Sequence, residues 1–329
     1  MGIIVLSLFD GMSCGQIALE KAGIKVDKYF SSEIESKPIE ITEKNYPNTI
    51  QLGDVIKIKA KDLPKIDLLI GGSPCQGFSF AGKQLNFNDS RSKLFFEFVR
   101  LFKELQPKYF LLENVRMKKE FLYIISNELG VKPIMINSGD FSAQDRKRYY
   151  WTNIPVEDFD KSNLIVEDIL EDEVDTKYWI EPKRAIIICE NEVKKRKIGY
   201  IGTDSQGNRI YNIHGKSVTL CGDAGGLGAK TGLYALPCIT PDRLEKRQNG
   251  RRFKPPFSKF YTLTAQDKHG VLVNNAIRKL TPIECERLQT VKDNYTKGVS
   301  DNQRYKMLGN GWTVNVIAHI FKGLNQGDA

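Results

Sequence analysis

Short apolar runs that each stop at a polar or glycine-rich step, with helix-period segments between them, constrain this chain more tightly than any other feature. Ile3-Ile4-Val5-Leu6-Ser7-Leu8 is apolar but for one serine and ends in Phe9-Asp10-Gly11, which suits a strand buried on both faces. Residues 13–22 then read as a helix closed by Gly23. A second strand is predicted over 26–32 and a second helix over 36–45. Residues 66–70 predict a third strand ending at Gly71-Gly72, and 91–105 a helix stopped by Pro107. Residues 109–112 predict a fourth strand, ending at Glu113-Asn114. Strand alternating with helix predicts an open, mostly parallel α/β sheet. Such sheets bind ligands at the carboxyl ends of their strands. Asp10, Glu33, Ser73-Pro74-Cys75 and Glu113 all fall at such ends, so a site is expected there.

The pattern changes between residues 158 and 272. Gly, Asn, Thr and basic residues punctuate short alternating segments such as Ser217-Val218-Thr219-Leu220 and Tyr261-Thr262-Leu263-Thr264, which predicts a small, irregular, β-rich domain. Helical pattern returns at 282–288, 301–308 and 313–324, the last with an apolar stripe expected to pack back onto the first domain. Charge follows the same division. Residues 183–279 carry 19 basic and 7 acidic side chains, a local +12, whereas the rest carries 30 basic and 33 acidic. A basic segment on a near-neutral body has the form of an electrostatic footprint for a polyanion, although a solvated surface has the same composition.

Several classes are excluded. With 41% hydrophobic residues, the chain can bury a core. No run of about 18 apolar residues exists, so no membrane span is expected. The start lacks a basic stretch ahead of its apolar run, so no secretory signal is expected. Six scattered cysteines without a CxxC pair, and three histidines, predict neither a zinc cluster nor a disulfide framework. The expectation is a cytoplasmic protein in a reducing compartment.

Two stretches carry chemistry. The Phe9 to Gly15 step is a strand–turn–helix junction where glycines let a ligand approach the backbone, though it lacks full GxGxxG spacing. Glu33, ending the next strand, can hold ribose hydroxyls or be simply solvated. In Gly71-Gly72-Ser73-Pro74-Cys75-Gln76-Gly77, the thiol follows a rigid Ser-Pro step flanked by glycines, which favours an exposed nucleophile over a buried cysteine. Glu113 at the neighbouring strand end can hydrogen-bond or protonate a ring nitrogen.

Phe9-Asp10-Gly11-x-x-x-Gly15, Pro74-Cys75-Gln76, Glu113-Asn114-Val115, Gln144-Asp145-Arg146-Lys147-Arg148 and Gly309-Asn310-Gly311-Trp312 occur in that order. Their order and spacing resemble the DNA (cytosine-5) methyltransferases of bacterial and phage type, from residue 3 to about residue 323. The first motif looks like the Phe-Asp-Gly version of the vertebrate de novo enzymes. The stretch from Gln206 to Gly232 resembles the recognition domain of the HhaI methyltransferase.

The resemblance implies a Rossmann-like mixed sheet of the S-adenosylmethionine-dependent methyltransferases, helices on both faces, plus a β-rich target-recognition domain. The implied division is 1–178 for cofactor and cytosine, 179–276 for target recognition and 277–329 for helices returning to the first domain. By resemblance, Cys75 adds to C6 of a flipped-out cytosine, Glu113 acts on N3, Arg148 holds O2 and Arg146 supports the site. S-adenosylmethionine, leaving as S-adenosylhomocysteine, would meet Phe9, Asp10, Gly11, Ser13, Gly15, Glu33, Ile34, Asp54, Val55, Pro74, Leu94, Asn310 and Gly311, with no metal. Ile34 stands where many relatives carry an aromatic residue. Gln206 would fill the hole left by the flipped base, and Arg209 would read a guanine edge. Gln76, Ser79, Tyr211 and Thr219 complete the expected DNA contacts.

The expected partner is double-stranded DNA bound by a monomer, with a restriction endonuclease acting separately as a further expectation. Absence of a long regulatory extension points to a bacterial or phage source. Two alternatives stay open: the same chemistry on tRNA, and a non-catalytic DNA-binding homologue. Intact Cys75 and Glu113-Asn114-Val115 argue against the second, and Ser73-Pro74-Cys75 with the basic insertion argues against the first. About 40 residues, 235–275, including Arg243, Arg247, Arg251, Arg252 and Lys254, have no counterpart in the HhaI-like region.

Overall fold

The computed structural model describes residues 2–73, 90–180, 185–187, 197–222, 227–228, 230–236 and 276–326. Pro74, Cys75, Gln76, Ser79, the segment 261–264 and the basic side chains at 243–254 lie outside the described residues.

The first half alternates as its pattern requires. Strand β1 (Ile3–Leu8) leads to α1 (Cys14–Lys21), β2 (Val26–Ser32) to α2 (Ser36–Asn45), and a short β3 (Ile50–Gln51) follows. Then come β4 (Leu68–Gly71), α3 (Ser90–Leu105), β5 (Tyr109–Val115), α4 (Lys119–Leu129), β6 (Ile134–Asn137) and β7 (Lys147–Thr152). They build one sheet in the order β3-β2-β1-β4-β5-β7-β6. The strands from β3 to β5 run parallel, while β7 lies antiparallel to both β5 and β6, so the sheet is mixed.

Continuous apolarity in β1, β4 and β5 reflects two cores, one on each face. Val5, Leu68, Ile70 and Leu111 point to a layer shared with Ile17 and Ala18 of α1 and Val314, Ile317 and Ile320 near the C-terminus. Leu6, Leu8, Leu69, Phe110 and Leu112 point the other way, onto Phe95, Phe98 and Leu101 of α3 and Ile125 of α4. Neighbouring strand residues therefore alternate between cores rather than between core and water. Each fully buried leucine or isoleucine contributes about 2 kcal/mol.

The second sheet takes strands β8 (Trp179–Ile180), β9 (Ala185–Ile187), β10 (Lys197–Ile201), β11 (Arg209–Asn212), β12 (Leu233–Leu236) and β13 (Ala276–Lys279), in the order β8-β13-β12-β11-β10-β9. Only the β11–β12 pair is parallel. The chain thus enters and leaves this sheet on adjacent strands, β8 and β13. A buried ion pair pins that crossing: Arg278 of β13 donates to both carboxylate oxygens of Glu284, at 2.7 and 2.6 Å. Glu284 sits in α5 (Pro282–Leu288), whose capping box with Thr281 satisfies its first turn. Helices α6 (Asp301–Asn310) and α7 (Val314–Lys322) follow, and α7 lays its apolar face on α1.

Three expectations are adjusted. The third strand runs one residue past its apolar stretch, to Gly71. The fourth continues to Val115, so Glu113 and Asn114 lie inside a strand, paired across to Tyr150 and Tyr149. Ser217-Val218-Thr219-Leu220 alternates like a strand yet forms a single bridge, Ser217 with Gln144, and docks on the segment between β6 and β7. Its backbone exchanges bonds there, Ser217 N–H to Ala143 O at 2.7 Å and Asp145 N–H to Ser217 O at 3.1 Å.

Candidate active site

The turn after β1 is built from left-handed residues: φ is 58° at Phe9, 58° at Gly11 and 60° at Ser13. Two of these bear side chains, a conformation that surrounding bonds must enforce. Asp10 enforces it. Its carboxylate accepts hydroxyl bonds from Ser7 at 2.6 Å, Tyr29 at 2.7 Å, Ser31 at 3.0 Å, and from Ser13. Burial pushes this carboxyl above the usual carboxylate value, against the downward pull of the four hydroxyls. Expected at the cofactor, Asp10 instead faces inward and shapes the turn. Gly15 is likewise a packing position: an added side chain there would meet Ile70 and the Tyr29 hydroxyl. Gly11 differs, for nothing lies within 4 Å of where its side chain would begin.

Glu33 closes the turn from β2. Its carboxylate accepts the Gly11 N–H at 2.9 Å, and the N–H groups of Ile34 at 2.7 Å and Glu35 at 2.9 Å. Ile34 is 74% exposed, an apolar side chain left uncovered beside this turn. Asp54 caps a single helical turn by accepting the Ile56 N–H, 3.1 Å away. Val55, expected at the cofactor, has its side chain in the core, so its backbone alone can meet a ligand. Leu94 is half-buried and packs against the same core from α3, while Asn310 is exposed at the end of α6.

Glu113 is the centre of the second group. Arg148 Nε lies 3.0 Å from its Oε1, and the Trp312 indole N–H donates to its Oε2 at 3.2 Å. Beside it, Asn114 donates to the Ser73 hydroxyl at 3.0 Å and to the Ser73 carbonyl at 3.3 Å. That bond ties β5 to the residue leading into Pro74-Cys75. Arg146 is buried and bridges three segments, donating to Leu220 O and Gly311 O, each at 3.2 Å. Burial and the neighbouring Arg148 charge depress its guanidinium to about 10, and Glu113 opposes this. Asn114, Gly72 and Trp312 join the site though sequence reasoning gave them no role; each stands within a quoted stretch.

Cysteines within the described residues offer no ready nucleophile. Burial raises the Cys14 thiol to about 12, Cys285 well above its ordinary value, and Cys221 to a lesser degree.

The expected DNA-reading residues are mostly engaged within the chain. Tyr211 is 7% exposed and packs beside Tyr234 in the core, so it is a packing residue. Thr219 is half-buried and donates to the Asp145 carbonyl at 2.8 Å. Arg209 is half-buried and pairs with Asp204 at 2.9 Å, which also holds Lys197 at 2.6 Å. Gln206 opens a single helical turn, residues Gln206–Asn208, just before β11. Among the described residues no helix is long and apolar enough to cross a membrane, and no group of three or more His, Cys, Asp or Glu could hold a metal.

Comparison with known proteins identifies the family. Residues 3–326 match the model of the C-5 cytosine-specific DNA methylases. The orphan methyltransferase M.SPRI of Bacillus phage SPR is 31% identical, covering 97% of this chain and 97% of its own length. The type II methyltransferase M.HhaI of Haemophilus parahaemolyticus is 28% identical over 97% of this chain and 93% of its own. In fold, the Entamoeba histolytica methyltransferase EhMeth is similar with a TM-score of 0.71 at 19% identity, covering 100% of this chain and 99% of that one. The chain belongs to the C-5 cytosine-specific DNA methylases, enzymes that methylate cytosine in DNA with S-adenosylmethionine as donor.

Proposed function

We propose that the chain methylates C5 of a cytosine flipped out of a short, specific duplex DNA sequence, through a transient bond between Cys75 and C6. The observation that carries this reading is the position of Glu113. Its carboxyl is held by Arg148 and Trp312, and the adjacent Asn114 is bonded to Ser73, two residues before Cys75.

The chemistry follows from the ring. Cytosine C5 is a poor nucleophile in the aromatic ring, and both faces of its C5–C6 bond are covered in a stacked duplex, so the base must leave the stack. The Cys75 thiolate adds to C6, and the displaced electron pair moves into the ring. Glu113 hydrogen-bonds or protonates N3, where that charge arrives. Arg148 holds the cytosine O2, and Arg146 keeps the surrounding segments in place. C5, now enamine-like, takes the methyl; loss of the C5 proton to a base and departure of Cys75 as thiolate restore the ring.

The turn at Phe9–Ser13 fits the donor. S-adenosylmethionine, when bound, supplies an electrophilic methyl on a sulfonium. Phe9, the open position at Gly11 and the exposed Ile34 form an accessible cradle at the end of β1 and β2, with Glu33 and Asp54 at its edge, whereas Ser13, expected there, is buried with its hydroxyl on Asp10. Pro74, Leu94, Asn310 and Gly311 would complete it. The second sheet would read DNA: Gln206 would fill the vacated stack, and Arg209 would exchange Asp204 for a guanine edge or a phosphate.

The test is transfer of labelled methyl to unmethylated duplex DNA, to tRNA and to neither, with Cys75→Ala beside the wild type. Label on duplex DNA that falls to background in Cys75→Ala is expected. Label on tRNA alone would overturn the substrate, and transfer to DNA surviving in Cys75→Ala would overturn the mechanism.

A further inference from the structure

The hydrogen bond from Trp312 to Glu113 joins segments 199 residues apart. We infer that Trp312 is a positioning residue for the Glu113 carboxyl; this deepens, and rests on, the role proposed for Glu113 above. An ion pair at one oxygen, in which the Arg148 Nε–H is not aligned for a hydrogen bond, leaves the carboxyl to turn about its last torsion, which is broad and roughly two-fold. Arg148 approaches Oε1 alone. The indole N–H takes Oε2 and so fixes the plane of the group. It does this as a neutral donor, without adding a second cation to the carboxylate.

The surroundings of Trp312 are built to hold it still. Its neighbour Gly311 accepts Arg146 at 3.2 Å and Gln289 at 3.3 Å through its carbonyl. On the other side, the Thr313 hydroxyl donates to Gln289 Oε1 at 2.8 Å. The contact itself needs Gly72: a side-chain carbon there would lie 2.9 Å from Trp312 Nε1 and 3.2 Å from Glu113 Oε2. Gly72 therefore clears the space in which indole and carboxyl meet. Since Asn310 and Gly311 are proposed at the cofactor, Trp312 also links that loop directly to the group acting on the base.

The test uses the full-length enzyme and single-turnover methyl transfer to unmethylated bacterial genomic DNA. Trp312→Phe keeps the ring and removes the donor. It should slow transfer about tenfold, the worth of a hydrogen bond to a charged group, while the dissociation constant for S-adenosylmethionine changes by less than about threefold. Combined with Glu113→Gln, it should add no further loss, because both changes act through one carboxyl. Gly72→Ala approaches the same contact from the opposite side. It should also slow transfer and also lose its effect in the Glu113→Gln background, which covers the case where Trp312→Phe does not fold. Losses that multiply in the double variants, or an unchanged rate in Trp312→Phe, would overturn the inference and leave the role of Glu113 intact. A Glu113→Gln enzyme as fast as wild type would remove that role and the inference with it.

Discussion

The site end of the first sheet and the β10–β11 hairpin of the second hold their polar side chains in opposite ways. In the first, Asp10, Glu33 and Arg146 are each tied to the protein. Asp10 takes four hydroxyls, Glu33 three backbone N–H groups, and Arg146 reaches two carbonyls from inside the core. In the second, Lys197, Asp204 and Arg209 form a partly exposed cluster joined by two ion pairs. A preorganised group costs little to use in a reaction, whereas an exposed ion pair is easily exchanged for another anion. The contrast suits a chemistry that must be aimed and a contact surface that must be handed to a polyanion.

Removing an arginine from each region gives the largest contrast. Arg146→Ala strands the buried Leu220 carbonyl and removes one of the two donors to Gly311 O, and should lower unfolding stability by about 2 kcal/mol, read as a fall in the urea midpoint. Arg209→Ala should leave that midpoint in place while weakening binding to duplex DNA. Equal midpoints for the two variants would break the comparison.

A smaller effect separates the regions by pH. Burial raises the Asp10 carboxyl, so the folded chain holds its proton more tightly than the unfolded chain, whose carboxyl titrates near its ordinary value. Stability from this group is therefore greatest below that value and falls as pH rises toward the folded value. Asp204 is lowered by its bonds to Lys197 and Arg209, so its contribution is present above the ordinary value and is lost as pH falls. Urea midpoints measured from pH 3 to pH 7 should show Asp10→Asn softening the decline on the upper side and Asp204→Asn softening the loss on the acid side. Changes of the same sign would contradict the assignment.

Legibility in the sequence followed the same divide. The strands β1, β4 and β5 stand out because burial on both faces leaves no polar alternation, and polarity returns abruptly toward their ends. That is how Asp10 and Glu113 came into view. What each does depends on contacts between distant segments. Nothing local to Asp10 announces Tyr29, and nothing local to Glu113 announces Trp312. Strand β7 escaped notice because Lys147 and Arg148 give its start the look of a charged loop. In the second sheet, short alternating segments leave the inward face undecided. Tyr211 went to the core, and Thr219 to the backbone of the first domain, for reasons of packing that no single segment carries.

The central claim, a bond between Cys75 and the cytosine ring, is tested most directly by trapping it. Fluorine at C5 cannot leave as a cation, so a duplex carrying 5-fluorocytosine at its target should hold the adduct after methyl transfer. Incubated with S-adenosylmethionine, denatured and digested, the enzyme should yield a methylated fluorocytosine adduct on the peptide bearing Cys75, and Cys75→Ala should yield none. An enzyme that methylates ordinary DNA yet forms no adduct, or one trapped through another residue, would contradict it.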